Sequence, residues 1–196
     1  MPKRLLTSML FSFALMSSAC SAPMKTPDIK QNPHPKMRYE ITITIEGAPG
    51  SFDSMQTIAQ YDIENDHCVP LQPMSGARLT PDKTIEMPLT RVGDNTYRGE
   101  VYTDLLEDAD YYGLGICHWK LSGVSMYLKH KKLTFPPSIS LDNILAQKSE
   151  ERYFSNRSFA DANMERVDTG NSKRADFHQE ANHTFSVVLT AKENFK

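Results

Sequence analysis

Apolar and polar residues alternate along most of the chain beyond residue 37, which is the pattern of strands with one buried face. The clearest example is RYEITITIE, Arg38–Glu46, in which every second residue is apolar and the others are charged or Thr. Successive strand residues point to opposite faces of a sheet, so this segment predicts a half-buried strand. Related patterns predict further strands at 55–63, 84–89, 96–102 and 183–191.

The longest strand-like run is 110–135, DYYGLGICHWKLSGVSMYLKHKKLTF. Glycines weaken a strand and often mark a bulge, so the two glycines near its start are expected at an irregular position. The pair Ser122-Gly123 predicts a bend or a hairpin turn. The alternation places five residues on one face: Gly113, Gly115, Cys117, Trp119 and Leu121.

Turn-forming residues separate the strand patterns, and the sequence shows no long amphipathic helix. The least patterned part is 138–174, where LDNILAQKSEERY predicts a helical turn or two and the polar remainder predicts a surface excursion. Several short strands separated by turns indicate an all-β fold. We expect a small antiparallel β-sandwich, immunoglobulin-like or similar, with a minor helical excursion.

A short leader precedes this pattern. Lys3 and Arg4 are followed by the apolar stretch Leu5–Met16, which is shorter than the roughly 20 residues that a membrane-spanning helix needs. A charged start, an apolar run and then small residues are typical of a secretory signal. We therefore predict that residues 1–19 are a signal peptide and that the protein is exported.

Two cleavage sites fit the small residues that end the leader. Ordinary signal peptidase favours an A-x-A-like pattern, with Ala19 or Ala22 just before the cut. Cleavage before Cys20 is the alternative that we favour, because SSAC resembles the bacterial lipobox, although its first serine stands where leucine is usual. That resemblance implies acylation of Cys20 with fatty chains such as palmitate, which would anchor the protein to a membrane. By the associated sorting rule, Ser21 in place of aspartate favours the outer membrane over the inner one.

Residues 20–37 predict a tether between this anchor and the folded part. The segment has four prolines and almost no periodic apolar residues, so it cannot bury the surface that folding requires. The remainder, 38–196, has the size of one ordinary domain and contains no stretch that could cross a bilayer. We predict a single β-rich domain over these residues.

The charge of the chain is mildly acidic. Lys and Arg number 22 against 24 Asp and Glu, which gives a formal net charge of −2. Nucleic-acid-binding domains usually carry a basic face. We therefore expect no nucleic-acid partner. The partners that we do expect are a protein and, through the lipid anchor on Cys20, a membrane.

Three cysteines carry most of the redox information. Cys20 belongs to the lipobox, which leaves Cys68 and Cys117 as one pair in an oxidising compartment. A disulfide between them is the default expectation. A metal site or a catalytic thiol is the alternative, but two distant cysteines without C-x-x-C make a weak zinc signature.

An acidic run, DLLEDAD, followed by two tyrosines, is the main candidate for a binding site. The run lacks the spacing of an EF-hand, and spacing alone does not identify a catalytic carboxylate pair. It predicts either a solvated loop or a surface that attracts a basic protein, with the tyrosines adding contact area. The candidate partner-binding residues are Asp104, Glu107, Asp108, Asp110, Tyr111 and Tyr112.

Catalytic motifs are absent from the sequence. It has no G-x-S-x-G elbow, P-loop or dinucleotide fingerprint. His118 follows Cys117 directly, but adjacent strand residues face opposite sides and are badly placed to share a proton. We expect no enzymatic activity, no cofactor and no metal.

A signal, a tether and a small disulfide-bonded β domain together resemble the immunity lipoproteins of Gram-negative bacteria. The most similar stretches are CVPLQPMSG and DLLEDADYYGLGICHW, within Tyr39–Leu128. This resemblance implies a periplasmic protein that neutralises a toxin delivered by a type IV or type VI secretion system. It carries no individual residue over. The alternative is a structural or assembly lipoprotein of the cell envelope without a toxin partner.

Overall fold

The computed structural model describes residues 27–195, in which strands make up most of the regular structure. In chain order the strands are β1 Arg38–Glu46, β2 Ser54–Ile63, β3 Asp82–Glu86, β4 Thr90–Arg91, β5 Thr96–Tyr102, β6 Trp119–His130, β7 Leu133–Phe135, β8 Ser138–Ser140, β9 Glu150–Ser155, β10 Arg166–Val167 and β11 Thr184–Glu193. The connections hold two short α-helices, α1 Leu141–Leu145 and α2 Asn156–Ala160, and two 3-10 helices, Asp66–Cys68 and Arg174–Glu180.

The strands form two sheets. The five-stranded sheet has the order β4-β5-β1-β11-β9, and its pairs are antiparallel. The six-stranded sheet has the order β10-β7-β6-β2-β3, and β8 pairs with β6 beside β7. One pair of the six-stranded sheet, β10 with β7, is parallel. Strands β1 and β11 pair inside the five-stranded sheet, which brings the two ends of the domain together.

The apolar faces of the two sheets meet in one core. Ile41 and Ile43 of β1 are fully buried, and so is Tyr61 of β2 in the other sheet. The Tyr61 hydroxyl donates a hydrogen bond of 2.6 Å to the carbonyl of Tyr102 at the end of β5, which joins the two sheets. Five phenylalanines from both sheets and their connections pack edge to face or stacked: Phe52, Phe135, Phe154, Phe159 and Phe185. The predicted all-β sandwich is confirmed.

The cleanly alternating segments form strands where the sequence predicts them. Strands β1, β2, β5 and β11 match their predicted ranges to within about two residues, because their apolar faces are the buried ones. The predicted helical turn is α1, which Ser140 caps by accepting a hydrogen bond from the Asn143 amide. The polar excursion contains α2 and β10, and the second 3-10 helix begins where it ends.

The prediction of a strand-like run over 110–135 is wrong at its start. Residues 111–115 form a series of bends, and β6 begins only at Trp119. Gly113 and Gly115 have φ values of +73° and +107°, which a regular strand does not adopt. These glycines therefore do not share a strand face with Trp119.

The prediction of a bend or hairpin turn at Ser122-Gly123 is also wrong. Gly123 pairs with Gln60 and Leu121 pairs with Tyr61, so Ser122 is an extra residue in β6. This is a β-bulge, which inserts one residue without ending the strand. It shifts the period-two pattern by one residue, so that Leu121 and Val124 both face the core.

The signal peptide and Cys20 lie outside the described residues. Among residues 27–195, no helix has the length and apolar character needed to span a bilayer.

Candidate protein-binding surface

A disulfide joins two loops at one end of the sandwich. Cys68 and Cys117 are bonded with a Cα–Cα distance of 5.3 Å, which confirms the predicted pairing. The Asn65 side chain adds two bonds to the second loop: it donates to the Ile116 carbonyl at 2.8 Å and accepts from the His118 amide at 2.7 Å. We call this region, residues 64–81 and 103–118, the disulfide end.

Large apolar side chains are exposed on the loops of the disulfide end. Single exposed apolar residues are common, but five of them on two loops that a disulfide joins make these loops a candidate interface. Sequence reasoning missed them because Pro and Gly marked these segments only as turns. The available signal was the presence of bulky apolar residues in a segment without strand alternation. The residues are Leu71, Met74, Leu79, Leu114 and Ile116, of which Met74 is 98% exposed.

Asp110 shapes the loop that carries two of these side chains. Its Oδ1 accepts hydrogen bonds from the amides of Leu114 at 3.0 Å and Gly115 at 3.3 Å. The positive φ values of Gly113 and Gly115 allow the chain to turn around this carboxylate. The loop therefore presents Leu114 and Ile116 to solvent in a defined conformation.

Asp108 anchors the start of β6. Its Oδ1 accepts a hydrogen bond of 2.8 Å from the Trp119 amide, and its Oδ2 lies 2.7 Å from His118 Nδ1. The adjacent thiol of Cys117 is consumed in the disulfide. In this arrangement His118 and Cys117 both have structural contacts: His118 with Asp108, and Cys117 with Cys68.

Asp104 anchors the segment that leads into β1. Its carboxylate accepts hydrogen bonds from the amides of Lys36 at 2.8 Å and Met37 at 3.0 Å. Gln31 forms a β-bridge with Leu106, and the Glu107 amide donates to the Lys30 carbonyl at 3.0 Å. Residues 30–37 of the predicted tether thus lie along the acidic run.

Glu107 is the carboxylate of the run that is not used in this way: within residues 27–195 its side chain has no hydrogen bond or ion pair. It lines a cavity of about 460 Å³. The charged residues that line this cavity are Asp104, Glu107 and Asp108, and its apolar lining is formed by Met37, Leu106 and Trp119. Such a cavity suits a basic side chain, whose stem is apolar and whose end is cationic.

The two tyrosines of the candidate site are partly buried and pack against the core. The Tyr111 hydroxyl donates to the Glu107 carbonyl at 2.6 Å, and its ring packs edge to face on Trp119 at 6.4 Å. Burial is the main cause that raises the pKa of Tyr111, and it also raises the pKa of Tyr112. These rings support the loops more than they extend the exposed surface.

The structure therefore brings all six candidate residues to the disulfide end, where Asp104, Asp108 and Asp110 bind backbone amides of the chain itself. Their role in partner binding stays a prediction. No group of three or more His, Cys, Asp or Glu side chains within residues 27–195 is arranged to hold a metal ion.

The chain matches no family model, no curated protein and no solved structure.

Proposed function

We propose that the protein is a lipid-anchored periplasmic binding module that neutralises a secreted antibacterial toxin. The observation that carries the proposal is the disulfide end, where exposed apolar side chains lie on loops held by a covalent bond and by side-chain hydrogen bonds to the backbone. Loops held in one conformation lose little entropy when they bind, so more of the contact energy appears as affinity.

The chemistry of the disulfide end favours a basic partner with apolar anchor residues. The exposed Met74 and Ile116 offer contact area, and the carboxylates of Glu107 and Asp108 lie in the same region. Opposite charges speed the encounter, and the apolar core of an interface supplies most of the affinity.

A competition experiment tests this proposal. A strain lacking the protein should be inhibited by sibling cells that carry the toxin, and the intact chain should restore growth. We expect Met74→Asp or Ile116→Asp to abolish protection, because a charge placed in the apolar centre of an interface weakens binding more than tenfold. Immunoblots must show equal amounts of each variant.

Met164→Asp is the matched control, because Met164 is 71% exposed in the excursion before β10. It should protect like the intact chain. Normal growth of the deletion strain beside a toxin-bearing parent would contradict the immunity function. Envelope defects of that strain in pure culture would instead support the structural or assembly role.

The membrane anchor has its own test. Mass spectrometry of the mature protein should find acyl chains on an N-terminal Cys20, and Cys20→Ser should release the protein from the membrane fraction. An unacylated chain that begins at Ser21 or Pro23 would show ordinary cleavage instead.

A further inference from the structure

A polar groove lies on the outer face of the six-stranded sheet, and none of the residues that line it belongs to the disulfide end. Its volume is about 490 Å³. One wall is Gln60 of β2, and the opposite wall is formed by β8, the start of α1 and Glu150 of β9. The stretch of β6 from Ser122 to Ser125 runs along its floor.

The local sequence produces the groove through the bulge in β6. Strand β8 approaches so closely that a Cβ on Gly123 would lie 2.6 Å from the Ile139 carbonyl oxygen, so only glycine fits there. The floor at Gly123 consequently has no side chain. The extra residue, Ser122, turns its hydroxyl to Asp62 Oδ2 on the neighbouring strand.

The groove is lined by polar groups: hydroxyls and carboxamides, which donate and accept hydrogen bonds, and one carboxylate, which accepts them. They are the hydroxyls of Ser125, Ser138 and Ser140, the carboxamides of Gln60 and Asn143, and the carboxylate of Glu150. The Asn143 amide nitrogen donates to Glu150 Oε2 at 2.5 Å, which fixes the two side chains relative to each other. The described lining includes no Lys, Arg or His.

An aromatic ring stands next to the groove along the same strand. Tyr127 follows Ser125 by two residues, so both lie on the outer face of β6, about 7 Å apart. The Tyr127 side chain is 37% exposed, whereas its neighbours Met126 and Leu128 are fully buried. An exposed ring of this kind offers an apolar surface with a polar tip.

We propose that this groove binds a glycan, a chain of sugars that carry hydroxyl and N-acetyl groups. Neutral hydroxyls and amides match the hydroxyl and carboxamide lining, and the Tyr127 ring can cover the apolar face of one sugar. The lining disfavours an anionic ligand such as phosphate, because it contains the carboxylate of Glu150 and no cation. Arg152 pairs with that carboxylate at 3.8 Å but does not line the groove. The cell-wall polymer of the predicted compartment has this chemistry.

The proposal does not depend on the toxin-binding function, since it uses other residues. The test uses the mature chain in detergent, titrated with N-acetylglucosamine tetramer and followed by amide chemical shifts. Shifts should saturate at Gln60, Ser125 and Asn143. A glucose tetramer, which lacks the N-acetyl groups, shows whether hydroxyls alone suffice.

Two variants of the groove sharpen the result. Gln60→Ala removes one hydrogen-bonding wall and should weaken binding about tenfold. Ser125→Tyr fills the groove and should abolish binding. The matched control is Thr44→Tyr, which places the same ring on the outer face of β1 in the other sheet and should leave binding intact.

The fraction of protein that co-sediments with purified cell-wall sacculi should be highest for the intact chain and Thr44→Tyr, lower for Gln60→Ala and lowest for Ser125→Tyr. Absence of shifts with either tetramer, or shifts confined to the disulfide end, would overturn the proposal. Binding that Gln60→Ala and Ser125→Tyr leave unchanged, in variants whose circular dichroism matches that of the intact chain, would overturn it as well.

Discussion

At the scale of single residues, the carboxylates between positions 104 and 110 hold the chain's own backbone. Asp104, Asp108 and Asp110 each accept at least one main-chain amide at 2.8–3.0 Å. A carboxylate that accepts a hydrogen bond from a backbone amide stabilises a turn. Part of its negative charge is then satisfied within the protein, and less is offered to a partner. Charge along a sequence does not reveal this use, because the amides come from residues that are distant or turned back in space.

We predict that Asp108→Ala destabilises the fold by about 1–2 kcal/mol, because the Trp119 amide loses a charged acceptor. Urea unfolding followed by tryptophan fluorescence measures the change. Glu107→Gln is the control and should leave the midpoint unchanged. Equal midpoints for Asp108→Ala and the intact chain would show that solvent replaces the carboxylate at no cost.

Tyr61 makes stability depend on alkaline pH. Burial, and next the nearby charge of Asp104, raise the pKa of Tyr61 in the folded state above its ordinary value. Below the unfolded-state pKa of about 10, the phenol is neutral in both states and its contribution is fully present. Above that pH the unfolded chain ionises first, so the contribution is lost as pH rises toward the folded-state pKa.

The expected result is a loss of about 1.4 kcal/mol per pH unit above pH 10 from this one residue. Tyr61→Phe should flatten the alkaline slope by that amount while it weakens the fold at pH 7, because the bond to the Tyr102 carbonyl is lost. Chemical unfolding between pH 8 and 11 provides the test. Identical slopes for the two proteins would contradict the assignment.

At the scale of elements, the disulfide closes a long covalent loop within the domain. Cys68 and Cys117 are 49 positions apart, and the loop between them contains β3, β4 and β5. Closing a loop of this length stabilises a fold by about 4 kcal/mol on the chain-entropy model.

The double variant Cys68→Ser with Cys117→Ser should therefore lower the free energy of unfolding by about 4 kcal/mol. Reduction of the intact chain with dithiothreitol is expected to give the same shift in calorimetry. The reductant should not alter the double variant, which serves as the control. A melting temperature that is insensitive to reductant in the intact chain would mean that the loop is constrained by other contacts.

The sequence predicts strands well where one face is buried. It predicts poorly where special backbone dihedral angles or strand register determine the local structure. The strict alternation of β1 follows directly from burial of Ile41 and Ile43. The bends at 111–115 depend on the φ values of Gly113 and Gly115 and on the Asp110 carboxylate, which no periodicity encodes. The bulge at Ser122 depends on the register with β2, a long-range property.

At the scale of the whole molecule, the candidate site was only partly predictable. The sequence identifies the disulfide and the acidic run, because residue type and compartment suffice for both. It does not identify the exposure of Met74 or Ile116, because exposure depends on how the loops pack once the disulfide has joined them. The polar groove combines residues from both sheets and could not be read from any single segment.

The attachment of the segment before β1 leads to a prediction at this scale. Asp104→Ala should release residues 30–37 from the acidic run, because the amides of Lys36 and Met37 lose their acceptor. Hydrogen exchange of these two amides should rise at least tenfold. The β1 amides are the internal control and should keep their protection. Unchanged exchange at Lys36 and Met37 would show that the bridge of Gln31 with Leu106 is sufficient.

That attachment also limits how far the domain can move from its proposed anchor. Ten positions separate Cys20 from Lys30, whose carbonyl is already bound to the Glu107 amide. Ten residues reach at most about 35 Å when fully stretched. With acyl chains on Cys20, the apolar loops would operate in a thin layer above the lipid headgroups. A toxin bound by these loops, as proposed above, would therefore be met close to the membrane surface.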